Sequence, residues 1–329
     1  MIPNQWYAIL PSKKVKRGQA AGVRRLNMNL VLFRSSHGEL GCVEERCSHR
    51  GASLSLGKVQ GDCIACPFHG IRFDRNGKCV LVPANGKASR EDLSRFNIKA
   101  WSVREQNGII YLWYGEKEKA GGDLPFFYGD ADESWACSEI EDHWHMHYSR
   151  CIENQLDVVH LPFVHHNTIG RGNRTVVNGP KIEFVPGGLM TSAENETDAG
   201  QMPRPAAQCT IKKTYLKFLF PNVWMNHISD RMKVIIYFAP VDDENTILYI
   251  RFYSKAAGIR WADRFIAFLG KFGNRIIERQ DKRIVVTQMP KASSYKSGEK
   301  LIPGDRPVIE YRRIREELKQ YNSAGMQEK

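Results

Sequence analysis

Apolar positions in the first 115 residues fall in short β-branched and aromatic runs. Val31-Leu32-Phe33 and Ile109-Ile110-Tyr111-Leu112-Trp113 are the clearest, and Gly38, Gly41, Gly57, Gly61, Gly77 and Gly108 punctuate them. This texture predicts a small antiparallel β scaffold. The stretch Phe73-Asp74-Arg75-Asn76-Gly77-Lys78 predicts a hairpin turn in which Asn-Gly supplies the positive φ angles. Over residues 116–133 Lys, Glu, Gly and Pro predominate, as in a linker. The predicted organisation is a domain over 1–115, a linker over 116–133 and a second domain over 134–329.

The second domain opens with strand-like alternation over 134–147. A helix should follow, with Asn154, Asp157 and His160 spaced by three and so sharing one face. Pro162 disfavours its continuation, and Leu161 before it is expected to be extended. Strand texture returns over 180–255, for example in Tyr215-Leu216-Lys217-Phe218-Leu219-Phe220 and Val234-Ile235-Ile236-Tyr237-Phe238. Trp261, Phe265, Phe268, Leu269, Phe272 and Ile276 then recur at helical spacing, predicting a long helix on the sheet over 258–280. A final surface helix is expected over 305–320, with Pro307 near its start. The fold class is α+β, an all-β domain followed by an antiparallel sheet with a long helix.

Composition adds bounds. The 329 residues are 42% hydrophobic and 26% charged, ordinary for a soluble globular chain of about two domains. The longest apolar run, 234–241, is too short to cross a bilayer. Eight Cys make no dense disulfide framework, and the first ten residues lack the blocks of a secretory signal, so a reducing, cytoplasmic setting is expected. The net charge of +12 fits attraction of an acidic redox partner, or simply a Lys-rich solvated surface. The basic residues are scattered and no nucleic-acid motif occurs, so neither nucleic acid nor membrane is an expected partner.

Two stretches carry chemistry. The first holds Cys47-Ser48-His49 and Cys66-Pro67-Phe68-His69. Two thiolates and two imidazoles could hold a tetrahedral zinc, or a 2Fe–2S cluster with two Cys on one iron and two His on the other. Each turn here supplies one Cys and one His, which favours the cluster. Cys63 also forms a Cys-x-x-Cys pair with Cys66, but it is a bystander on this reading, because the four-ligand set is complete without it. The second stretch, 151–166, places His160 and His165 on either side of the expected helix break, where both can reach one metal ion. Two His and one carboxylate form the usual set for an oxygen-activating iron. Glu153 and Asp157 lie nearby.

The first stretch resembles the Rieske iron–sulfur motif. The second, with its Asp-x-x-His-x-x-x-x-His core, resembles the mononuclear-iron motif of Rieske non-haem iron oxygenase α subunits. Chain length is similar to the compact members that work as homotrimers of α subunits alone. The resemblance implies a helix-grip (START-like) catalytic domain, and a 2Fe–2S cluster on Cys47, His49, Cys66 and His69. It implies a mononuclear iron on His160, His165 and a late carboxylate, for which Asp281 fits and Glu278 is the alternative. Asp157 would bridge a cluster His of one subunit to an iron His of the next, and Asn154 on the same face is a further catalytic candidate. Also implied are O2 as co-substrate, electrons from NAD(P)H through a ferredoxin or flavin reductase, and monooxygenation rather than ring dihydroxylation of a small organic substrate.

Overall fold

The computed structural model describes residues 1–327. It divides into two compact units, residues 4–124 and residues from 125 onward, with Met1–Pro3 belonging to the second. Of the expected linker, Leu124, Phe126, Phe127 and Ala131 are buried.

The first unit is all β. Its strands are β1 (Gln5–Pro11), β2 (Ala20–Arg25), β3 (Met28–Arg34), β4 (Leu40–Glu44) and β5 (Lys58–Gln60). Then come β6 (Cys63–Ala65), β7 (Arg72–Phe73), β8 (Cys79–Leu81), β9 (Val103–Gln106) and β10 (Ile109–Tyr114). They form three antiparallel sheets, β1-β10-β9, β2-β3-β4 and β5-β6-β7-β8. Val31, Phe33, Val43, Leu54, Ile64 and Phe73 make a core against which the Cys47 and Cys66 side chains are buried. At about 1.5–3 kcal/mol per buried large apolar side chain, this core is what holds the two Cys-bearing loops in place. The hairpin between β7 and β8 is as expected, but only Gly77 takes a positive φ, of 78°. Asp74 does the rest, its Oδ1 accepting from the Asn76 and Lys78 backbone N–H groups.

The second unit contains β11 (Ala136–Trp144), α1 (Tyr148–Leu156) and α2 (Leu161–Val164), followed by β12 (Val176–Val185) and β13 (Gly188–Glu196). The strands β14 (Tyr215–Leu219), β15 (Val223–Ser229), β16 (Met232–Pro240) and β17 (Thr246–Ser254) precede α3 (Arg260–Val285) and α4 (Arg306–Gln327). The seven strands form one antiparallel sheet ordered β11-β17-β16-β15-β14-β13-β12. Every residue of β17, and all of β16 but its first, is buried. Burial on both faces explains why these strands read as continuous apolar runs rather than alternation. In register, Trp224 pairs with Phe218 and Ile236, and Ile236 with Ile250, so these four share one face. The same face takes α4, whose Tyr311 packs on Phe218 and Phe220 at 5.4 and 5.6 Å between ring centroids.

Four expectations need correction. The helix carrying Asn154 stops at Leu156, and Asp157 is its extended C-cap, so Asn154, Asp157 and His160 do not lie along one helical face. Leu161 is not extended either, because Pro162 sits in the first turn of α2, where its missing N–H costs nothing. Most informative is α3, where the Trp261–Ile276 stripe faces outward, with Trp261 74% and Phe272 52% exposed. The side turned to the sheet carries Asp263, Ala267, Glu278, Asp281 and Val285 instead. A Cβ at Gly270 would lie 2.7 Å from the Phe252 ring, so the missing side chain is what lets α3 approach β17. Helix α4 is likewise only half a surface helix, since Val308, Tyr311, Arg312 and Arg315 are buried.

Candidate metal centres

The two Cys-His loops of the first unit are built alike. The Cys47 N–H donates to the Ala52 carbonyl and the Gly51 N–H to the Cys47 carbonyl; the Cys66 N–H donates to Ile71 and the Gly70 N–H to Cys66. Gly51 and Gly70 both turn the chain with positive φ, 73° and 70°. An Arg46–Ser53 bridge closes the first loop, and the β6–β7 ladder closes the second. Cys63 lies at the start of β6, ahead of the second loop.

The loops set their sulfurs inward and their imidazoles outward. Cys47 and Cys66 are buried side by side, whereas His49 and His69 are exposed with ring centroids 4.7 Å apart. Burial pushes the Cys47 thiol up to about 11, against the backbone N–H groups of His49 and Arg50, which point at the sulfur and favour its thiolate. The second sulfur adds to the upward push. Ligands of one tetrahedral zinc, about 2.0–2.3 Å from the ion, must crowd within roughly 4 Å of one another. Here the two sulfurs pair with each other on the buried side and the two imidazoles, with ring centroids 4.7 Å apart, pair on the exposed side. A paired-sulfur side and a paired-nitrogen side fit a two-iron cluster better.

In the second unit the distant parts of the chain converge. His160, His165 and Asp281 place one donor atom each within 4.8 Å of one another. His165 Nε2 lies 3.0 Å and His160 Nε2 3.5 Å from Asp281 Oδ1. That oxygen and His160 Nδ1 are buried without a hydrogen-bond partner. A buried carboxylate oxygen with no donor is costly unless something charged meets it, and a divalent ion fits this donor set.

The surrounding residues orient these three side chains. Gln280 Oε1 sits 2.8 Å from His165 Nδ1 and accepts from the Thr168 hydroxyl, which leaves the His165 Nε2 lone pair for a metal. The Gln280 amide is itself held by Asn167. Burial opposes protonation of His165, but Asp281 and Gln280 outweigh it and hold the imidazole above the usual His range. Gln155 donates to the other Asp281 oxygen at 3.3 Å. Asp157 accepts from the Val159 N–H and lies 3.5 Å from His160 Nδ1. Burial alone would raise the Asp157 carboxyl, yet these neighbours keep it below the ordinary carboxylate range.

The other carboxylates have different partners. Glu278 accepts from Trp144 Nε1 at 2.6 Å and lies against Asp142. Burial and the Asp142 carboxylate push its own carboxyl up to about 8. Glu153 is gripped by two guanidinium groups, those of Arg150 and Arg312. Neither is free to serve the His pair. The Gln280–Asp281 pair was legible as a ligand neighbourhood in the sequence. Gln155, Thr168 and Asn167 carried no signal there, since their roles come from contacts across more than a hundred residues.

A cavity of about 420 Å³ adjoins His160, His165 and Asp281. Strands β13 to β17 supply about half of the residues of its wall, and Asn154, Asn274 and Ile277 also line it. Its size is within the common range for small-molecule sites. No helix is long and apolar enough to cross a membrane among the described residues.

A four-ligand Cys/His site and a two-His, one-carboxylate site opening on a cavity define a class: a metalloprotein pairing an electron-storing cluster with a mononuclear metal centre. Residues 5–101 match the Rieske [2Fe-2S] domain, and residues 144–320, over half of the chain, match the vanillate O-demethylase oxygenase C-terminal domain. The chain belongs to the Rieske oxygenase family that carries this C-terminal domain. It is 30% identical over 171 residues to the iron–sulfur subunit TsaM1 of the toluene-4-sulfonate monooxygenase system of Comamonas testosteroni, covering 51% of this chain and 48% of TsaM1. It is 30% identical over 197 residues to cholesterol 7-desaturase of Hemicentrotus pulcherrimus, covering 55% and 39%. It therefore spans about half or less of the length of these relatives. The fold is similar to that of NdmA from Pseudomonas putida CBB5, with a TM-score of 0.80 at 21% identity over 98% of this chain and 92% of that one.

Proposed function

We propose that this chain is the oxygenase component of a system that uses O2 and two electrons to hydroxylate or demethylate a small organic substrate. NAD(P)H is the electron source, through a separate ferredoxin or flavin reductase. The observation that carries this reading is the pairing of the Cys47/His49/Cys66/His69 loops with the His160/His165/Asp281 trio beside a largely apolar cavity. When bound, the 2Fe–2S cluster supplies single electrons and the mononuclear iron supplies the open position where oxygen reacts with substrate.

The chain's own residues do the positioning. Gln280 fixes the tautomer of His165, and Gln155 steadies Asp281. Apolar strand residues exclude water from the cavity. Asp157 orients His160 and, in an oligomer, bridges it to the neighbouring subunit's His69. The exposed position of His69 and the placement of Asp157 beside His160 support that bridge. A homotrimer would supply the neighbour. Asn154, which lines the cavity with its amide nitrogen buried and unpartnered, is assigned to substrate or water positioning there. None of the eight Cys is in a disulfide, which supports a reducing, cytoplasmic compartment. The names of the relatives range from a sulfonate to a sterol, so kinship leaves the charge of the substrate open.

The test is iron and acid-labile sulfide per chain, with electron paramagnetic resonance of the reduced protein. About three irons to two sulfides, falling to about two to two in Asp281→Ala with the Rieske-type signal retained, is the expected result. Two irons to two sulfides in the parent protein, unchanged on adding ferrous iron, would refute the oxygenase reading and leave an electron carrier.

A further inference from the structure

We infer that the cavity beside His160, His165 and Asp281 takes an uncharged, mostly apolar molecule bearing one hydroxyl or lactam-like group, which Trp224 and Asn226 recognise. The inference rests on the reading that this cavity is the substrate site of an oxygenase.

Charge narrows the ligand first. Among the described residues no Lys or Arg lines the cavity, and the only basic side chains there are the imidazoles of His160 and His165, both turned to Asp281. A carboxylate, sulfonate or phosphate placed there would lose its water and meet no counter-charge. The acidic side chains of the wall are Asp157, Glu278 and Asp281. Asp157 and Glu278 are already engaged by the Val159 N–H and the Trp144 indole, and Asp281 faces the two imidazoles with which it would hold the metal. A cationic ligand would thus find no carboxylate free to pair with it.

The wall narrows it further. Leu216, Ile228, Val234, Ile236, Leu248 and Ile250 present an aliphatic surface for the body of the ligand. Among them, Trp224 and Asn226 are two residues apart on β15 and so share a face. Trp224 Nε1 and Asn226 Oδ1 are both buried with no hydrogen-bond partner. Indole nitrogen can only donate, and an amide oxygen can only accept. A hydroxyl, or the adjoining N–H and C=O of a lactam, both accepts and donates, and so satisfies the two together. Buried polar atoms left unmatched are uncommon, and a ligand that completes them gains selectivity over one that does not.

The test is calorimetric binding to the purified protein under nitrogen without reductant, with iron content measured on the same sample. The probes are naphthalene, 2-naphthol, 2-naphthoate and 2-naphthylmethylammonium, which share one ring system and differ in the polar group. Expected is 2-naphthol binding about tenfold or more tighter than either charged probe, and tighter than naphthalene. Trp224→Phe and Asn226→Leu should each weaken 2-naphthol by roughly fivefold while leaving naphthalene within about twofold, which also shows that the variants are folded. Tight binding of 2-naphthoate, an unchanged 2-naphthol to naphthalene ratio in both variants, or no binding of any probe overturns the inference. Because binding is read without turnover, a protein with three irons that fails this test keeps the oxygenase reading. One that lacks the third iron but passes loses only that reading.

Discussion

Replacing Glu153 with Gln should loosen the catalytic unit far more than an ordinary surface change. Glu153 is on α1, which runs directly into the segment holding Asp157, His160 and His165. Its Oε1 accepts from Arg312 Nε at 2.8 Å, and its Oε2 from Arg312 Nη2 at 2.8 Å and Arg150 Nη1 at 3.1 Å. All three side chains are buried, with side-chain exposures of 7% for Glu153, 3% for Arg312 and 1% for Arg150. Removing the carboxylate charge leaves two buried guanidinium groups sharing Glu299, which is 28% exposed. Breaking one side of a buried ion pair typically costs about 3–5 kcal/mol. Gln keeps one acceptor oxygen, which places the loss near the low end, about 3 kcal/mol. For a unit of roughly 200 residues, this corresponds to a fall in Tm of about 6–12 °C. Scanning calorimetry would read it, with visible absorbance separating the cluster-bearing unit. Arg312→Met added to Glu153→Gln should recover part of the loss, because the stranded charge is gone. A fall of under 2 °C would refute the argument that this buried network anchors α4 to α1.

The remaining expectations concern charge, helix orientation and electron coupling. Because the folded Glu278 carboxyl is pushed up to about 8 from an ordinary 4.5, the folded state holds a proton that the unfolded chain releases, so stability should decline as pH rises through that window. Glu278→Gln, which still accepts from Trp144, should flatten the decline; parallel Tm–pH curves for variant and parent would contradict a proton held on Glu278 by burial and the Asp142 carboxylate. Gly270→Ala should cost about 1–3 kcal/mol in urea unfolding because its Cβ meets the Phe252 ring, whereas Phe268→Ser on the outward face should cost less than about 1 kcal/mol. The reverse order would mean that α3 is turned the other way. Asp157→Asn should retain both metals while uncoupling reductant oxidation from product formation, and normal coupling would remove Asp157 from the electron path.

The sequence by itself determined what is local. The four proposed cluster ligands lie within residues 47–69, and each loop closes on itself through backbone hydrogen bonds and one glycine, so spacing alone suggests the chemistry. His160 and His165 are five residues apart on one turn, and they too could be paired by eye. The carboxylate was another matter. Glu153, Asp157, Glu278 and Asp281 are equivalent as residue types, and only packing separates them. Two arginines claim Glu153, the Val159 N–H and His160 claim Asp157, and Trp144 with Asp142 claims Glu278, which leaves Asp281 with a buried oxygen facing both imidazoles. Helix α3 makes the same point. A period of 3.6 reveals that a helix is two-sided, but not which side meets the sheet. Here the closeness demanded by Gly270 and Ala267, and the need to bury Asp281 beside the His pair, turned the small and acidic side inward and the aromatic stripe outward.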